Sequence, residues 1–441
     1  MRWLSFGMLH ASEHVGGTEV FVHRLDRALL RNGVEPHAAF HSRSPGRRQF
    51  EGVPCIGVPL PAPARSRLDH WACTPPHLGW WEALLDEVRP DVVHVHATLQ
   101  VNPPELLQAA RARGARTVWT FHAAGQTCLQ TALQRDGVVP CDGEVLPGRC
   151  TRCGLVWSGV PGPLASIFGA LDLHALAPAV PPSFRHPFER RYGTELFQAR
   201  LAEAFDALDV VTVHARWAEQ LLLANGLPAS KVHRLSLPPP HAIDPVPDSR
   251  PWEGLPGRVR VLYVGRLQDI KGPHVLLEAL RGPLAGVGDL AVAFLAAPGE
   301  LDYGERFARG VAAEPRARLL LGSGVEPLRA MAAADVVVVP SLCLETGPFT
   351  VLEARWSGAT VVGSALGGIA EQLADAAEAR TFAPGDTHSL AAVLAELSSA
   401  SPRRPDPTPL RSAVSTRFEA ELLRLVSRLS SPPAAERPAD T

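Results

Sequence analysis

Two cations five residues apart, Arg266 and Lys271, follow an apolar run that ends at Gly265 and open a helical pattern. A diphosphate suits that arrangement. A guanidinium grips two oxygens, an ammonium adds a point charge, and both neutralise charge building on a departing phosphate. On spacing alone, a solvated turn with two surface cations explains them equally well. Of the 43 basic residues only Lys231 and Lys271 are lysine, so Lys271 is either a place that needs a compact ammonium or a survivor by chance.

The segment from Pro340 to Ala354 holds the second constellation. An apolar run ends near Pro340, Glu345 follows in a loop, Pro348 is suited to a first helical turn, and Glu353 comes eight residues after Glu345. The free amides of such a turn, around Gly347, Pro348 and Phe349, favour an anion, and carboxylates on either side are good acceptors for sugar hydroxyls. A glutamate beside a helix start is also an ordinary dipole partner.

The third constellation is Cys128, Cys141, Cys150 and Cys153, spaced C-x12-C-x8-C-x2-C in a polar stretch with little to pack. Four thiols with one C-x-x-C fit a structural zinc. An iron–sulfur cluster and unmetallated thiols stay open. Cys55, Cys73 and Cys343 read as isolated buried residues.

The elements that must position these groups alternate. Strands are expected over 3–9, 91–96, 116–122 and 209–214, with a turn at Gly16 and Gly17 and helices near 103–113 and 215–225. The grammar restarts with strands over 259–264, 290–297, 317–321, 335–340 and 359–364 and helices between them. Such alternation gives parallel sheets with helices on both faces, and ligands bind at the carboxyl ends of their strands. The Pro-rich stretch 238–257 reads as the linker between an N-terminal domain, 1–237, and a C-terminal domain, 258–405. A helix within 406–430 and a disordered tail, 431–441, complete the expected division.

With 441 residues, 46% hydrophobic and 20% charged, the chain reads as globular and large enough for two cores. A formal charge of −2 lacks the basic excess of a nucleic-acid binder. No apolar run reaches bilayer length and the first residues do not form a signal peptide, so a cytoplasmic location is expected, at most peripheral at the inner membrane face. There is no P-loop, no G-x-G-x-x-G after a strand, no G-x-S-x-G and no Asp-x-Asp. His94 and His96 read as core histidines, Trp80 and Trp81 as helix packing, and Arg316, Arg318 and Arg329 as a solvated face. The moderately apolar 162–180 reads as a buried or loose loop, with contact to a membrane surface as the alternative.

Gly265-Arg266 with Lys271-Gly272, Glu345-x7-Glu353 and Gly367-Gly368-Ile369-Ala370-Glu371, in that order, resemble the donor domain of the family 4 glycosyltransferases. Gly16-Gly17-Thr18-Glu19 and the strand ending at His122 are similar to that family's N-terminal half, so the resemblance covers roughly 1–400. It implies a GT-B fold, two doubly wound Rossmann-like α/β domains facing across a cleft, with the last helix crossing back onto the first. It also implies retaining sugar transfer from a nucleotide-diphosphate sugar to a polysaccharide or lipid-linked glycan precursor, with no catalytic cofactor.

By the same resemblance, Arg266 and Lys271 hold the diphosphate, Glu345 meets sugar hydroxyls and Glu353 meets the ribose. Gly347, Pro348 and Phe349 offer amides to sugar or phosphate, Gly16, Gly17 and Gly265 let backbone approach the donor, and His122 faces the transferred sugar. A Cys-rich insertion at about 125–160 is a feature similar to some members. Three departures stand out: Ala123 where Asp is usual after the histidine, Ala215 where Ser is common, and Pro238-Pro239-Pro240-His241 where Asn-Gly is usual. A sugar-nucleotide epimerase or hydrolase, and a non-catalytic sugar-nucleotide-binding protein, are the rival readings.

Overall fold

A computed structural model describes residues 1–13, 16–60, 78–97, 103–137, 139–240, 245–299, 301–322, 324–377, 379–400 and 404–431. Cys73, His241 and the tail beyond 431 lie outside the described residues. Among those described, no helix is long and apolar enough to cross a membrane.

The strands, in chain order, are β1 (Arg2–Gly7), β2 (Glu35–Ser42), β3 (Gly46–Phe50), β4 (Val53–Pro59), β5 (Val92–Val95), β6 (Arg116–Thr120), β7 (Gln134–Arg135), β8 (Val139–Pro140), β9 (Val210–Val213) and β10 (Val232–Arg234). They continue as β11 (Val259–Arg266), β12 (Leu290–Ala297), β13 (Ala317–Leu321), β14 (Val336–Val339), β15 (Thr360–Ser364) and β16 (Arg380–Phe382). One sheet runs β10-β9-β6-β5-β1-β2-β4-β3 and a second runs β13-β12-β11-β14-β15-β16. β3 is antiparallel to β4 at an edge, and the other ladders of both sheets are parallel. β5, β9 and β14 are buried along their whole length, as β-branched strands covered on both faces must be.

In each sheet the order reverses beside the first strand. β1 lies between β2 and β5, and β11 lies between β12 and β14. That reversal opens a crevice at the carboxyl ends. His96 and His122 follow β5 and β6, and His214 follows β9. Arg266 ends β11, and Glu345 and Gly367 follow β14 and β15.

The helix Thr408–Ser430 carries Phe418, Leu422, Leu425 and Leu429 into a core shared with Trp3, Phe21, Leu25 and Leu352. Burying each such side chain stabilises by about 1.5–3 kcal/mol. Glu421 adds polar ties, its carboxylate accepting from the Ser236 amide at 2.6 Å and its carbonyl lying 3.0 Å from His233 Nε2.

Several sequence readings need correction. β2, β3 and β4 were not anticipated, because their Gly, Pro and Arg content reads as loop and only sheet pairing makes them strands. The 22-residue helix His186–Ala207 was also missed. It packs against Pro104–Ala112 and Pro147–Trp157, so its apolar residues do not form one stripe. The region 162–180 is not a buried loop. It begins with the helix Gly162–Ala170, where Leu164 and Ile167 are 50% and 51% exposed and only Ala165 and Gly169 are buried.

Of the three arginines read as a solvated face, Arg329 is exposed as expected and Arg316 is not, and all three also bind backbone. Arg316 donates to the carbonyls of Leu280, Leu284 and Val287 as well as to Glu314. Arg318 donates to the Glu253 carbonyl and Arg329 to that of Val246, tying the stretch before β11 to the second sheet. Trp252 in that stretch is buried, its indole donating to Val261 O at 3.1 Å.

Candidate functional site

β11 delivers Arg266 at its exposed end, and a short 3₁₀ turn, Asp269–Lys271, follows. Gly272 then takes φ 68°, and a Cβ there would sit 2.0 Å from Pro340 O, so only glycine lets this turn lie against the end of β14. The result is a Lys271 Nζ to Glu345 Oε1 distance of 2.5 Å, with Ser341 Oγ donating to the same oxygen at 2.9 Å. Burial alone would neutralise both groups, but their mutual attraction outweighs it. The Glu345 carboxyl lies below its ordinary range and the Lys271 ammonium above its own. Both stay charged, and Arg266 adds a second positive charge to the same environment.

The loop after Glu345 is held by the other sheet. The Glu345 carbonyl accepts from Trp217 Nε1 at 2.9 Å and from the Gly368 amide at 2.8 Å. Thr346 Oγ1 donates to His122 O at 2.8 Å. Gly368 has no alternative residue, since a Cβ would fall 2.6 Å from Glu345 O. Pro348 is the N-cap rather than the first turn, and the helix begins at Phe349. Arg24 lies over the Phe349 ring, 4.8 Å from its centroid. Glu353, one turn on, has Oε1 2.5 Å from Arg24 Nη2. Burial raises the Glu353 carboxyl despite that cation.

On the facing sheet His122 Nε2 lies 3.0 Å from His96 Nδ1, and Phe21 packs edge-on to the His122 ring. Burial, with His96 and His214 beside it, pushes the His122 pKa well below the ordinary value. His122 is therefore neutral near pH 7. Ala123 cannot cap the 3₁₀ turn Ala124–Gln126, and Gln126 Oε1 instead accepts from the amides of His122 and Ala123. A comparable substitution serves Ala215. Glu371 Oε2 and Oε1 accept from the amides of Arg216 and Trp217 at 2.7 and 3.0 Å, capping the helix Arg216–Ala224 from the opposite sheet.

The glycines divide. Among the described residues a Cβ on Gly17 would meet nothing within 4 Å, and Gly16 is extended, φ −133°. Gly265 has an internal reason instead: a Cβ there would lie 2.7 Å from the Tyr263 hydroxyl. Arg24, Trp217, His214 and Gln372 carry no motif and escaped the sequence reading; only folding brings them to the crevice.

Cys128, Cys141, Cys150 and Cys153 line one cavity. Cys150 and Cys153 sit on the helix Pro147–Trp157. The Gly143 amide lies 3.5 Å from Cys141 Sγ and the Asp136 amide 3.2 Å from Cys153 Sγ. Among the described residues no three His, Cys, Asp or Glu groups converge in a metal-holding arrangement. Burial raises the Cys150 thiol to about 11.

Two largely parallel sheets facing across a crevice define the GT-B class of glycosyltransferase folds. The chain belongs to family 4 of these enzymes. The family described as Glycosyltransferase Family 4 matches residues 15–140, and that described as Glycosyl transferases group 1 matches 258–400; together they cover more than half of the chain. A D-inositol 3-phosphate glycosyltransferase of Corynebacterium urealyticum is 33% identical over 131 residues, 28% of this chain and 31% of that protein. Its counterpart in Corynebacterium kroppenstedtii is 33% identical over 130 residues, 27% and 29% of the two chains. The alignments thus span less than a third of these curated relatives. Sucrose-phosphate synthase of Thermosynechococcus elongatus shares the fold with TM-score 0.64 and 18% identity, covering 97% of this chain and 98% of that one. Anabaena HepE, solved with UDP and glucose, gives 0.62 and 14%, covering 98% and 100%.

Proposed function

We propose that the chain moves a sugar from a nucleoside-diphosphate sugar to a glycan or lipid-linked glycan precursor with retention of anomeric configuration. The observation that carries this reading is the charged Lys271–Glu345 pair at the start of the Phe349 helix, with Arg266 beside it. In this reading Arg266 and Lys271 take up the charge that develops on the departing diphosphate. Glu345 accepts from sugar hydroxyls, and Glu353 exchanges Arg24 for the ribose hydroxyls. Neutral His122 supplies a hydrogen-bonding ring beside the sugar rather than a charge. Catalysis then rests on leaving-group stabilisation and alignment, with no covalent nucleophile assigned.

The test is calorimetric titration of the chain with UDP, GDP and ADP, with Lys271→Ala alongside. Micromolar binding of one nucleotide, abolished in the variant, supports the reading. No binding of any of them overturns it.

A structural zinc at Cys128, Cys141, Cys150 and Cys153 is proposed as well. Support comes from four thiols lining one cavity and from amides close to two of the sulfurs. Binding would displace the thiol protons now directed at Glu144 O and Gln134 O and would require the sulfurs to converge.

A further inference from the structure

His214 follows β9 and points a ring nitrogen, Nδ1, at Leu235 O, 2.7 Å away. A carbonyl can only accept, so Nδ1 carries the proton and Nε2 is left with a bare lone pair. That Nε2 is buried and has no hydrogen-bond partner among the described residues. Across the crevice Gln372, on the helix Gly367–Leu373, has a buried side-chain oxygen in the same condition.

The two residues flank one glycine. A Cβ built on Gly347 would lie 3.4 Å from His214 Cβ and 3.7 Å from Gln372 Nε2, and Gly347 has φ 151°. A buried acceptor without a donor costs free energy, and each of these two calls for a partner. Both lie next to the Glu345–Phe349 loop, and His214 lies on the His122 side, where the Phe21 ring packs 4.7 Å from His214 and 4.9 Å from His122. A ligand with two O–H donors would satisfy both acceptors.

We infer that His214 and Gln372 form a hydroxyl-reading pair for the sugar part of the donor, flanking Gly347 from opposite sheets. The inference rests on the proposed donor site and deepens it. The sugar's hydroxyls donate to His214 Nε2 and Gln372 Oε1 once the loop at Gly347 lifts to admit the ring. Because one acceptor comes from each sheet, the sugar also bridges the crevice, and a nucleotide without a sugar cannot.

Three variants separate this role from a structural one. His214→Asn keeps an N–H for Leu235 O and removes the acceptor at the ε position. His214→Gln returns an amide to that position. Gln372→Leu removes the second acceptor at similar volume. Calorimetry compares UDP, GDP and ADP with their glucose esters. His214→Asn and Gln372→Leu should each weaken the glucose ester by about tenfold while leaving the bare nucleotide within about twofold, and His214→Gln should recover part of the loss. Unchanged affinity for the ester in both variants overturns the pair, and so does an equal loss for ester and nucleotide. If the native chain binds no nucleotide at all, the donor site itself fails, and the pair with it.

Discussion

Arg24 and Glu353 are 329 positions apart in the chain, yet Nη2 of one lies 2.5 Å from Oε1 of the other, and the Arg24 guanidinium also covers Phe349. In the proposed reading Glu353 meets the donor ribose, and in the structure that carboxylate is engaged by a cation from the helix Gly17–Arg31. Removing Arg24 removes that competitor. Arg24→Ala should tighten nucleotide binding by several-fold and lower the melting temperature, because the crevice loses a tie between its walls. Calorimetry and a thermal scan read both. Weaker binding in the variant would show that Arg24 helps to hold the nucleotide.

The Glu371 cap offers a cleaner dissection. Glu371→Ala leaves the first amides of the helix Arg216–Ala224 without an acceptor, because Ala215 offers none. Loss of a cap costs about 1–2 kcal/mol, which chemical denaturation measures. Adding Ala215→Ser should restore part of that stability from within the helix itself. If Glu371→Ala changes nothing, the contact contributes only geometry.

Acid should destabilise the fold through its buried histidines. Burial lowers His214 and His10 to about 4 from 6.5, and pushes His94, His96 and His122 well below 6.5. Between those values the unfolded chain binds protons that the folded chain refuses. The histidine contribution is therefore complete above about pH 6.5 and is lost as pH drops toward 4, by about 1.4 kcal/mol per unit for each fully buried histidine. Asp26 acts in the opposite sense. Burial raises it to about 8 from 3.8, so its contribution, present below 3.8, is lost as pH rises through 8. Melting temperatures across pH 4–8 should rise to near 6.5, and Asp26→Asn should remove the decline at higher pH. A flat profile between 4 and 6.5 would contradict the buried, neutral histidines.

The cysteine proposal rests on metal content. Elemental analysis should find about one zinc per chain. Cys150→Ser should lose the metal and melt at lower temperature, as should the native chain after chelation. Metal-free protein with unchanged stability leaves the four thiols as reduced cavity-lining groups.

Sequence spacing was enough for the alternating strands and helices, because β-branched runs buried on both faces and helices with one apolar stripe leave strong periodic signatures. Arg266, Lys271, Glu345 and Glu353 stood out through their resemblance to family motifs at fixed offsets from strand ends, since spacing alone suited a solvated turn equally well. Two kinds of feature were not legible. β2, β3 and β4 hold their form through sheet pairing rather than local preference, and the helix His186–Ala207 is buried on more than one side. Tertiary structure alone decided that Arg24 meets Glu353, that Glu371 caps a helix whose own N-cap is alanine, and that His214 and Gln372 share a glycine. Each of these joins residues more than 150 positions apart. Such contacts are set by how two sheets face one another, a relation that no local spacing encodes.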